Sequence, residues 1–130
     1  MAIIADASVL IDILIDAPTA GVLRARLSSE VVHAPVTVDA EVLHGLRRHV
    51  LAELIDAEVA RFAVLAVQAA PVTRHPVQPL VVRMWELRHN ITAYDAAYVA
   101  LAERLNVPLI TRDGRLARSS GHSARIEYIA

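Results

Sequence analysis

Four acidic residues occupy positions from which their carboxylates could act on one ligand. Asp6 and Asp113 each follow a short apolar run of the kind that forms a buried strand. Glu41 and Asp95 lie near the starts of two predicted helices that begin after loops. In an open α/β sheet, ligands bind at the edge formed by the carboxyl ends of the strands. We therefore expect the four carboxylates to converge at that edge.

A cluster of four carboxylates repels itself unless a cation neutralises it or some of the groups stay protonated. Oxygen ligands in a chain with no cysteine favour a hard divalent cation, Mg²⁺ or Mn²⁺. Such an ion lowers the pKa of bound water and stabilises charge on a phosphoryl group under attack. Asp6 and Asp113 would then be direct ligands of the ion. Ser8 and Thr111, which lie close to them in sequence, could orient the ligands or a water molecule.

Three of the four acids also have a local structural explanation. The segment TAYD, which ends at Asp95, matches a capping box, so this carboxylate could serve only the backbone of its helix. Glu41 could be an ordinary helix-surface glutamate, and Asp113 belongs to an Asp-Gly pair that is common in turns. Glu41 and His44 have a spacing found in some metal sites, but no second Glu-x-x-His pair accompanies them. The sequence alone leaves these alternatives open.

The basic residues are all arginine: 13 arginines and no lysine. The lack of lysine argues against phosphotransfer enzymes and receiver domains, whose sites use a lysine to neutralise phosphate. The formal net charge of -1 does not by itself indicate nucleic-acid binding. Residues 103–125, however, contain five arginines and two acids, a local charge of +3. This excess predicts contacts with a phosphate backbone by Arg112, Arg115 and Arg118. The alternative is that these arginines lie on a solvated helix.

The elements that must position these groups alternate between strand and helix. Strands are predicted at 3–5, 31–34, 107–111 and 126–129, with a possible short strand at 72–73. Helices are predicted at 8–15, 18–29, 37–49, 51–67, 80–89, 93–105 and 115–118. This order implies α/β architecture, with a mostly parallel sheet of about five short strands in one domain spanning residues 1–130.

Several polar residues are predicted to serve only the helices. Thr37 is placed as an N-cap, and Asp39 in the following turn is expected to interact only with the helix dipole. Asp12 and Asp16 lie four residues apart on a polar helix face and are expected to be solvated.

The composition is apolar, with 55% hydrophobic residues and a mean hydropathy of +0.43. Either a well-filled core or a partner that covers apolar surface would explain it. No apolar stretch approaches the roughly 18 residues of a membrane-spanning helix, and no signal-peptide pattern is present. With no cysteine for disulfides, a cytoplasmic location is expected.

Four segments together resemble a known family. They are DASVLID from Asp6, VDAEVLHGLRR from Val38, LRHNITAYDAAYVALAERL from Leu87 and PLITRDGRLAR from Pro108. In this order and spacing the chain resembles PIN-domain ribonucleases, specifically VapC toxins of bacterial type II toxin–antitoxin pairs. The resemblance implies a three-layer α/β/α domain with an acidic pocket at one edge.

The family's acidic residues fall on Asp6, Glu41, Asp95 and Asp113, which the resemblance makes the catalytic residues. Asp6, Asp95 and Asp113 would be the metal ligands. The family's hydroxyl near the last aspartate falls on Thr111.

The resemblance also implies a function and partners. It implies Mg²⁺- or Mn²⁺-dependent endonucleolytic cleavage of transfer or ribosomal RNA that leaves 5′-phosphate and 3′-hydroxyl ends. It implies a homodimer or a hetero-oligomer with a VapB-like antitoxin, which would cover apolar surface and place a basic side chain in the acidic pocket. The alternative is a non-catalytic PIN-like binding module whose pocket only docks a basic protein.

Overall fold

Five short segments form one parallel sheet in the computed structural model, which describes all 130 residues. The strands are β1 (Ala2–Ala5), β2 (Val31–Pro35), β3 (Val72–His75), β4 (Leu109–Thr111) and β5 (Ile126–Tyr128). Their order across the sheet is β3-β2-β1-β4-β5, and every neighbouring pair is parallel. The prediction of a parallel α/β sheet of about five strands is confirmed.

This strand order creates a switch point between β1 and β4. The chain builds outward from β1 through β2 to β3, and then returns to the other side of β1 to add β4 and β5. In sheets of this kind, the crevice at the carboxyl ends of the two strands at the switch is where ligands bind. The loops that follow β1 and β4 carry Asp6 and Asp113, so the topology brings these two residues to that crevice.

Seven α-helices surround the sheet. They are α1 (Ala7–Leu14), α2 (Ala20–Leu27), α3 (Val38–Leu51), α4 (Ala57–Ala69), α5 (Val81–Glu86), α6 (Ala93–Leu105) and α7 (Gly114–Ala117). A 3-10 turn, Gln78–Leu80, precedes α5. Helices α1, α3 and α4 pack on one another, whereas α6 packs on α5 and lies across β1, β2 and β4. None of the helices is both long enough and apolar enough to cross a membrane.

The core is centred on β1, β4 and α6. Ile3, Ile4, Leu109 and Ile110 are fully buried. In α6 every residue of the segment 96–102 is buried, and four of those seven are alanines. Small side chains let this helix approach the sheet closely while its first turn projects to the switch-point crevice.

Several element boundaries differ from the predictions by a few residues, and the start of α4 differs most. Helix α4 begins at Ala57 rather than at residue 51, because Asp56 caps it by accepting a hydrogen bond from the Val59 amide at 2.8 Å. Glu53 before it has a left-handed φ of 58°, which interrupts the helical run. Thr37 is the N-cap residue of α3, as predicted, but it has helical backbone angles and its hydroxyl makes no capping hydrogen bond.

Asp39 has a tertiary role that its position in the first turn of α3 did not predict. Its two carboxylate oxygens accept hydrogen bonds from Nε and Nη2 of Arg74 at 2.7 and 2.8 Å. The same guanidinium donates to the carbonyl oxygens of Val67 and Val72. The prediction that Asp39 serves only the helix dipole is therefore wrong, because the Arg74 side chain ties α3 and α4 to the edge strand β3.

The prediction that Asp12 is solvated is also wrong. Its side chain is only 15% exposed and accepts a hydrogen bond from the Arg112 guanidinium at 2.6 Å and a longer one from Thr19. Arg112 follows β4, so this ion pair links α1 to the end of the strand that neighbours β1. Asp16, in contrast, has an 80% exposed side chain and pairs with the exposed Arg24, in agreement with the prediction.

We expect Asp12→Asn to lower the free energy of unfolding by about 1–2 kcal/mol, because it leaves the half-buried Arg112 without its charged acceptor. Asp16→Asn makes the same chemical change at an exposed ion pair and should cost no more than about 0.5 kcal/mol. Urea denaturation of both variants measures the difference. Equal effects would contradict a structural role for the pair of Asp12 and Arg112.

Two histidines on the neighbouring strands β2 and β3 contact each other. Nδ1 of His33 lies 2.8 Å from Nε2 of His75, and one proton between them satisfies both atoms. Burial and the nearby His33 lower the pKa of His75 below its usual value. The charged group that lines the same cavity as His75 is Arg104 of α6, which also disfavours added positive charge.

Because the folded-state pKa of His75 is lowered, the unfolded chain binds the proton more tightly. Neutral His75 therefore gives its full stability above about pH 6.5, and that stability falls as the pH drops below this value. We expect His75→Gln to show a smaller loss of unfolding free energy than wild type between pH 7.5 and pH 5.5 in urea titrations. The exposed His44→Gln is the control and should follow wild type; a His75→Gln profile parallel to wild type would refute the expectation.

Candidate active site

Asp6 joins the ends of the two central strands. Its Oδ1 accepts hydrogen bonds from the Val9 amide at 3.2 Å, which caps α1, and from the Ser8 hydroxyl at 2.5 Å. Its Oδ2 accepts the hydroxyl hydrogen bond of Thr111, the last residue of β4. The residue is only 6% exposed, so these bonds replace most of the hydration that its carboxylate loses on folding.

The two hydroxyls continue this network to the loop after β4. The Thr111 hydroxyl accepts from the Asp113 amide at 2.9 Å, and the Ser8 hydroxyl accepts from the Arg112 amide at 3.1 Å. Both side chains predicted to orient the site thus lie against Asp6 and hold the neighbouring loop. Their action on a metal ion or water stays a prediction.

Asp113 caps the short helix α7. Its Oδ1 accepts from the amides of Arg115 and Leu116 at 2.9 and 3.4 Å, while its Oδ2 makes no hydrogen bond to the protein. The turn explanation is therefore correct for one oxygen of Asp113, and the second oxygen remains open to a ligand.

Asp95 forms only half of the capping box that the sequence indicated. Its amide donates to the Thr92 hydroxyl at 3.3 Å, but its carboxylate makes no hydrogen bond to the backbone in return. Capping by Thr92 places Asp95 in the first turn of α6 and leaves its carboxylate free to face the crevice.

Glu41 is held by a residue that the sequence analysis missed. The Tyr98 hydroxyl donates to its Oε1 at 3.4 Å, across the space between α6 and α3. Tyr98 is almost fully buried although it carries a polar hydroxyl. Tyr98 lies three residues after Asp95, so both side chains are on one face of α6. This spacing is the sequence signal from which Tyr98 could have been predicted as part of the site.

The four acidic residues form one electrostatic cluster. Burial raises the pKa of Asp6, and the charge of Asp95 adds to the effect. Burial also raises the pKa of Asp95, as does the charge of Asp113. The pKa of Glu41 is raised to about 7, first by burial and then by the charges of Asp95 and Asp6. The carboxylates of Asp6, Glu41 and Asp95 therefore each lie close enough to another acid for its charge to help raise their pKa.

No arginine of the chain forms an ion pair with this cluster, although the charge of Arg115 lowers the pKa of Asp95 slightly against the larger effect of burial. Eight of the 14 acidic residues form an ion pair with an arginine or the N-terminus. The six without one are the four clustered residues and the exposed Glu53 and Asp56. The buried and partly buried acidic residues that lack an ion pair are thus the ones predicted to share a cation.

The donor chemistry fits a hard divalent cation. All the available donors are carboxylate oxygens, and no cysteine or histidine cluster competes with them. No three of the histidine, aspartate and glutamate side chains are arranged to hold an ion without help. Mg²⁺ in proteins commonly keeps several waters and binds one or two carboxylates, so this arrangement is compatible with it. Asp6, Asp95 and Asp113 are the residues that would hold the ion, with Glu41 beside them.

Two clefts meet at Asp113. The first, of about 370 Å³, also contains Asp95 and is lined on its other side by residues of the α5–α6 loop and by Arg115. The second, of about 460 Å³, passes between α1 and α3 and is lined by Ser8, Arg48 and Arg112.

The three arginines predicted to contact RNA have different surroundings. Arg115 is exposed in the first cleft. Arg112 lines the second cleft but is held by Asp12 and by the carbonyl oxygen of Ile129. Arg118 is exposed, lies outside both clefts and packs its guanidinium against Gly114. Contacts of all three with RNA stay predictions.

This chain is similar to known proteins over most of its length. Residues 3–121 match the model of the PIN domain family. Ribonuclease VapC12 of Mycobacterium tuberculosis (strain ATCC 25618 / H37Rv) is 43% identical over 128 residues, which cover 98% of this chain and 99% of the relative. Ribonuclease VapC1 of the same strain is 44% identical over 128 residues, covering 97% and 96% of the two chains.

Solved structures share the fold at lower identity. A chain of VapBC2 from Rickettsia felis, crystallised with a DNA fragment from the promoter, has a TM-score of 0.68 and 13% identity, with 98% of each chain covered. VapC20 of Mycobacterium tuberculosis has a TM-score of 0.68 and 19% identity, with 93% of this chain and 96% of that one covered. With the family model matching most of the chain and the ribonuclease relatives aligned almost from end to end, this chain belongs to the PIN-domain family.

Proposed function

We propose that the protein is a metal-dependent endoribonuclease that acts as the toxin of a VapBC-type toxin–antitoxin pair. The observation that carries the proposal is the cluster of four carboxylates, unpaired with any cation of the chain, at the switch point between β1 and β4. The relatives at 43% and 44% identity are named ribonucleases, which supports the same reaction class.

Mg²⁺ or Mn²⁺ held by Asp6, Asp95 and Asp113 would lower the pKa of bound water and offset charge on the phosphate. Ser8 and Thr111 keep the Asp6 carboxylate facing the crevice through their hydrogen bonds.

Glu41, with a pKa of about 7, can take up and release a proton at its carboxylate near neutral pH, so it suits the general base. In the proposed reaction the water oxygen bonds to phosphorus as its proton passes to Glu41, the bond from phosphorus to the 3′ oxygen breaks, and the 3′ oxygen takes up a proton from solvent. The products carry a 5′-phosphate and a 3′-hydroxyl.

The toxin role requires a protein partner and an RNA target. One structural neighbour is a VapBC complex, and another is described as a sarcin-ricin loop cleaving toxin. For this chain we propose a VapB-like antitoxin and a transfer or ribosomal RNA substrate, with a homodimer or a hetero-oligomer with the antitoxin as the assembly. Large apolar side chains on α4, including those of Phe62 and Leu65, are exposed and offer surface for such contacts. A cytoplasmic location and action as a single domain of residues 1–130 belong to the same proposal.

We expect wild-type protein to cut structured RNA in the presence of Mg²⁺ or Mn²⁺, and Asp6→Asn to lose about 100- to 1,000-fold of the rate. The asparagine keeps the shape of the side chain but removes the negative charge that binding of the divalent ion requires. Gel analysis of end-labelled RNA measures the rate, and chemistry at the fragment ends identifies the products.

Asp16→Asn is the matched control, because it removes one exposed carboxylate outside the site and should cut like wild type. Identical fragments from wild type and Asp6→Asn at equal rates would assign the activity to a contaminant. If the RNA stays intact in every reaction and a basic protein binds to the acidic pocket, the protein is better described as a non-catalytic binding module.

Ion binding should also be visible without any RNA. A ligand that binds only the folded state at about 100 times its Kd adds about 2.7 kcal/mol of stability. We therefore expect Mn²⁺ to raise the melting temperature of wild type by about 5–15 °C. Asp16→Asn should respond equally and Asp6→Asn only weakly. An equal shift for Asp6→Asn would show that the ion binds elsewhere.

A further inference from the structure

The first cleft combines acidic and basic side chains. Its lining includes the carboxylates Asp95 and Asp113 and the arginines Arg88 and Arg115. Neither arginine forms an ion pair, so both can meet the phosphates of a chain that passes the carboxylates. This combination suits a phosphodiester whose reacting group lies beside the carboxylates and whose neighbouring nucleotide contacts the arginines.

Arg88 is supported from behind by the only tryptophan of the chain. Its guanidinium carbon lies 4.5 Å from the centroid of the Trp85 ring, and its Nη1 donates to the Trp85 carbonyl oxygen at 3.0 Å. These two contacts hold the planar guanidinium group of Arg88 at the cleft wall, and we call this planar surface the Arg88 plate. Such a plate is a stacking surface for an unpaired nucleobase, as an aromatic ring is.

The Asn90 side chain lies in the same cleft and makes no hydrogen bond to the protein. It packs against Gly121, where an added Cβ would come within 2.0 Å of its Nδ2. The close approach restricts the amide while its donor and acceptor stay unpaired. A restrained amide of this kind can form hydrogen bonds to the edge of a base.

The second cleft offers fewer free polar groups. Arg112 is paired with Asp12, and Nδ1 of His49 lies 2.7 Å from the carbonyl oxygen of Gly45. Arg48 is its one basic group without a partner in the protein. The first cleft is therefore the better site for an unpaired nucleotide.

We propose that the first cleft holds one unpaired nucleotide of single-stranded RNA next to the scissile phosphate. Its base stacks on the Arg88 plate that Trp85 supports, Asn90 bonds the base edge, and Arg115 contacts the phosphate. This inference rests on the proposed ribonuclease function and specifies how the substrate is held. It also makes an RNA loop or single strand, rather than a continuous duplex, the form that enters the site.

Trp85 makes the proposal directly measurable, because it is the only source of tryptophan fluorescence and is 67% exposed. We expect a single-stranded RNA oligonucleotide, added to full-length protein in EDTA, to change this fluorescence over the concentration range in which fluorescence anisotropy of labelled RNA detects binding. A duplex of the same sequence should bind more weakly.

Arg88→Lys separates stacking from charge. It keeps the positive charge but loses the plate, so we expect the Kd for single-stranded RNA to rise about 5- to 100-fold while the salt dependence of binding stays that of wild type. Trp85→Ala should weaken binding in the same direction. Arg47→Lys is the matched control, since Arg47 is exposed, unpaired and outside both clefts, and should bind like wild type.

Three results would overturn the proposal. If wild type binds and cuts RNA while Trp85 fluorescence is unchanged and Arg88→Lys binds normally, the cleft assignment is wrong and the ribonuclease function stands. Loss of binding in Arg48→Lys instead would place the nucleotide in the second cleft. A wild-type protein that neither binds nor cuts RNA would refute the ribonuclease function together with this inference.

Discussion

The buried carboxylate of Asp6 is the constraint on which the rest of the structure depends. Removing an ionised group from water costs several kcal/mol unless hydrogen bonds or a counter-charge replace its hydration. Here the hydrogen bonds come from the Ser8 and Thr111 hydroxyls and the Val9 amide. Two of these donors belong to the start of α1 and one to the end of β4. Satisfying one carboxylate therefore fixes the junction of the two central strands and the direction in which α1 leaves the sheet.

The arginines of the chain stabilise the surroundings of the site and leave its centre uncompensated. Arg112 pairs with Asp12 beside the site, Arg74 joins Asp39 at the far edge of the sheet, and Arg83 holds Glu103 of α6. The pair of Arg83 and Glu103 lowers the pKa of Glu103 to about 2, whereas the pKa of Glu41 in the cluster is raised to about 7. Charge is thus balanced where an element must be held, and it is left unbalanced where an ion would bind.

The sequence predicts what local pattern controls and misses what distant partners control. Asp6 and Asp113 could be found because each follows an apolar strand, and parallel strand ends meet at one edge. The environments of Asp12 and Asp39 are set by Arg112 and Arg74, which lie far along the chain and are brought close only by the tertiary fold. Nothing in the surrounding sequence shows which of two acids on a helix face will meet an arginine. The predicted start of α4 was wrong for a local reason instead. Asp56 caps the helix, and this capping signal outweighs the apolar pattern that extends before Asp56.

The four carboxylates differ in how firmly the fold holds them. Both oxygens of Asp6 and one oxygen of Asp113 accept hydrogen bonds from strand ends and helix starts. The carboxylate of Asp95 has no such bond, and Glu41 has only the long bond from Tyr98. Asp6 and Asp113 are thus a fixed pair at the switch point, whereas Glu41 and Asp95 are a freer pair on α3 and α6. Together they form a site that is partly preorganised. The freer pair could adjust its side chains as an ion and a phosphate enter. Such an adjustment would let a cluster without a complete set of three ligands bind the divalent cation proposed above.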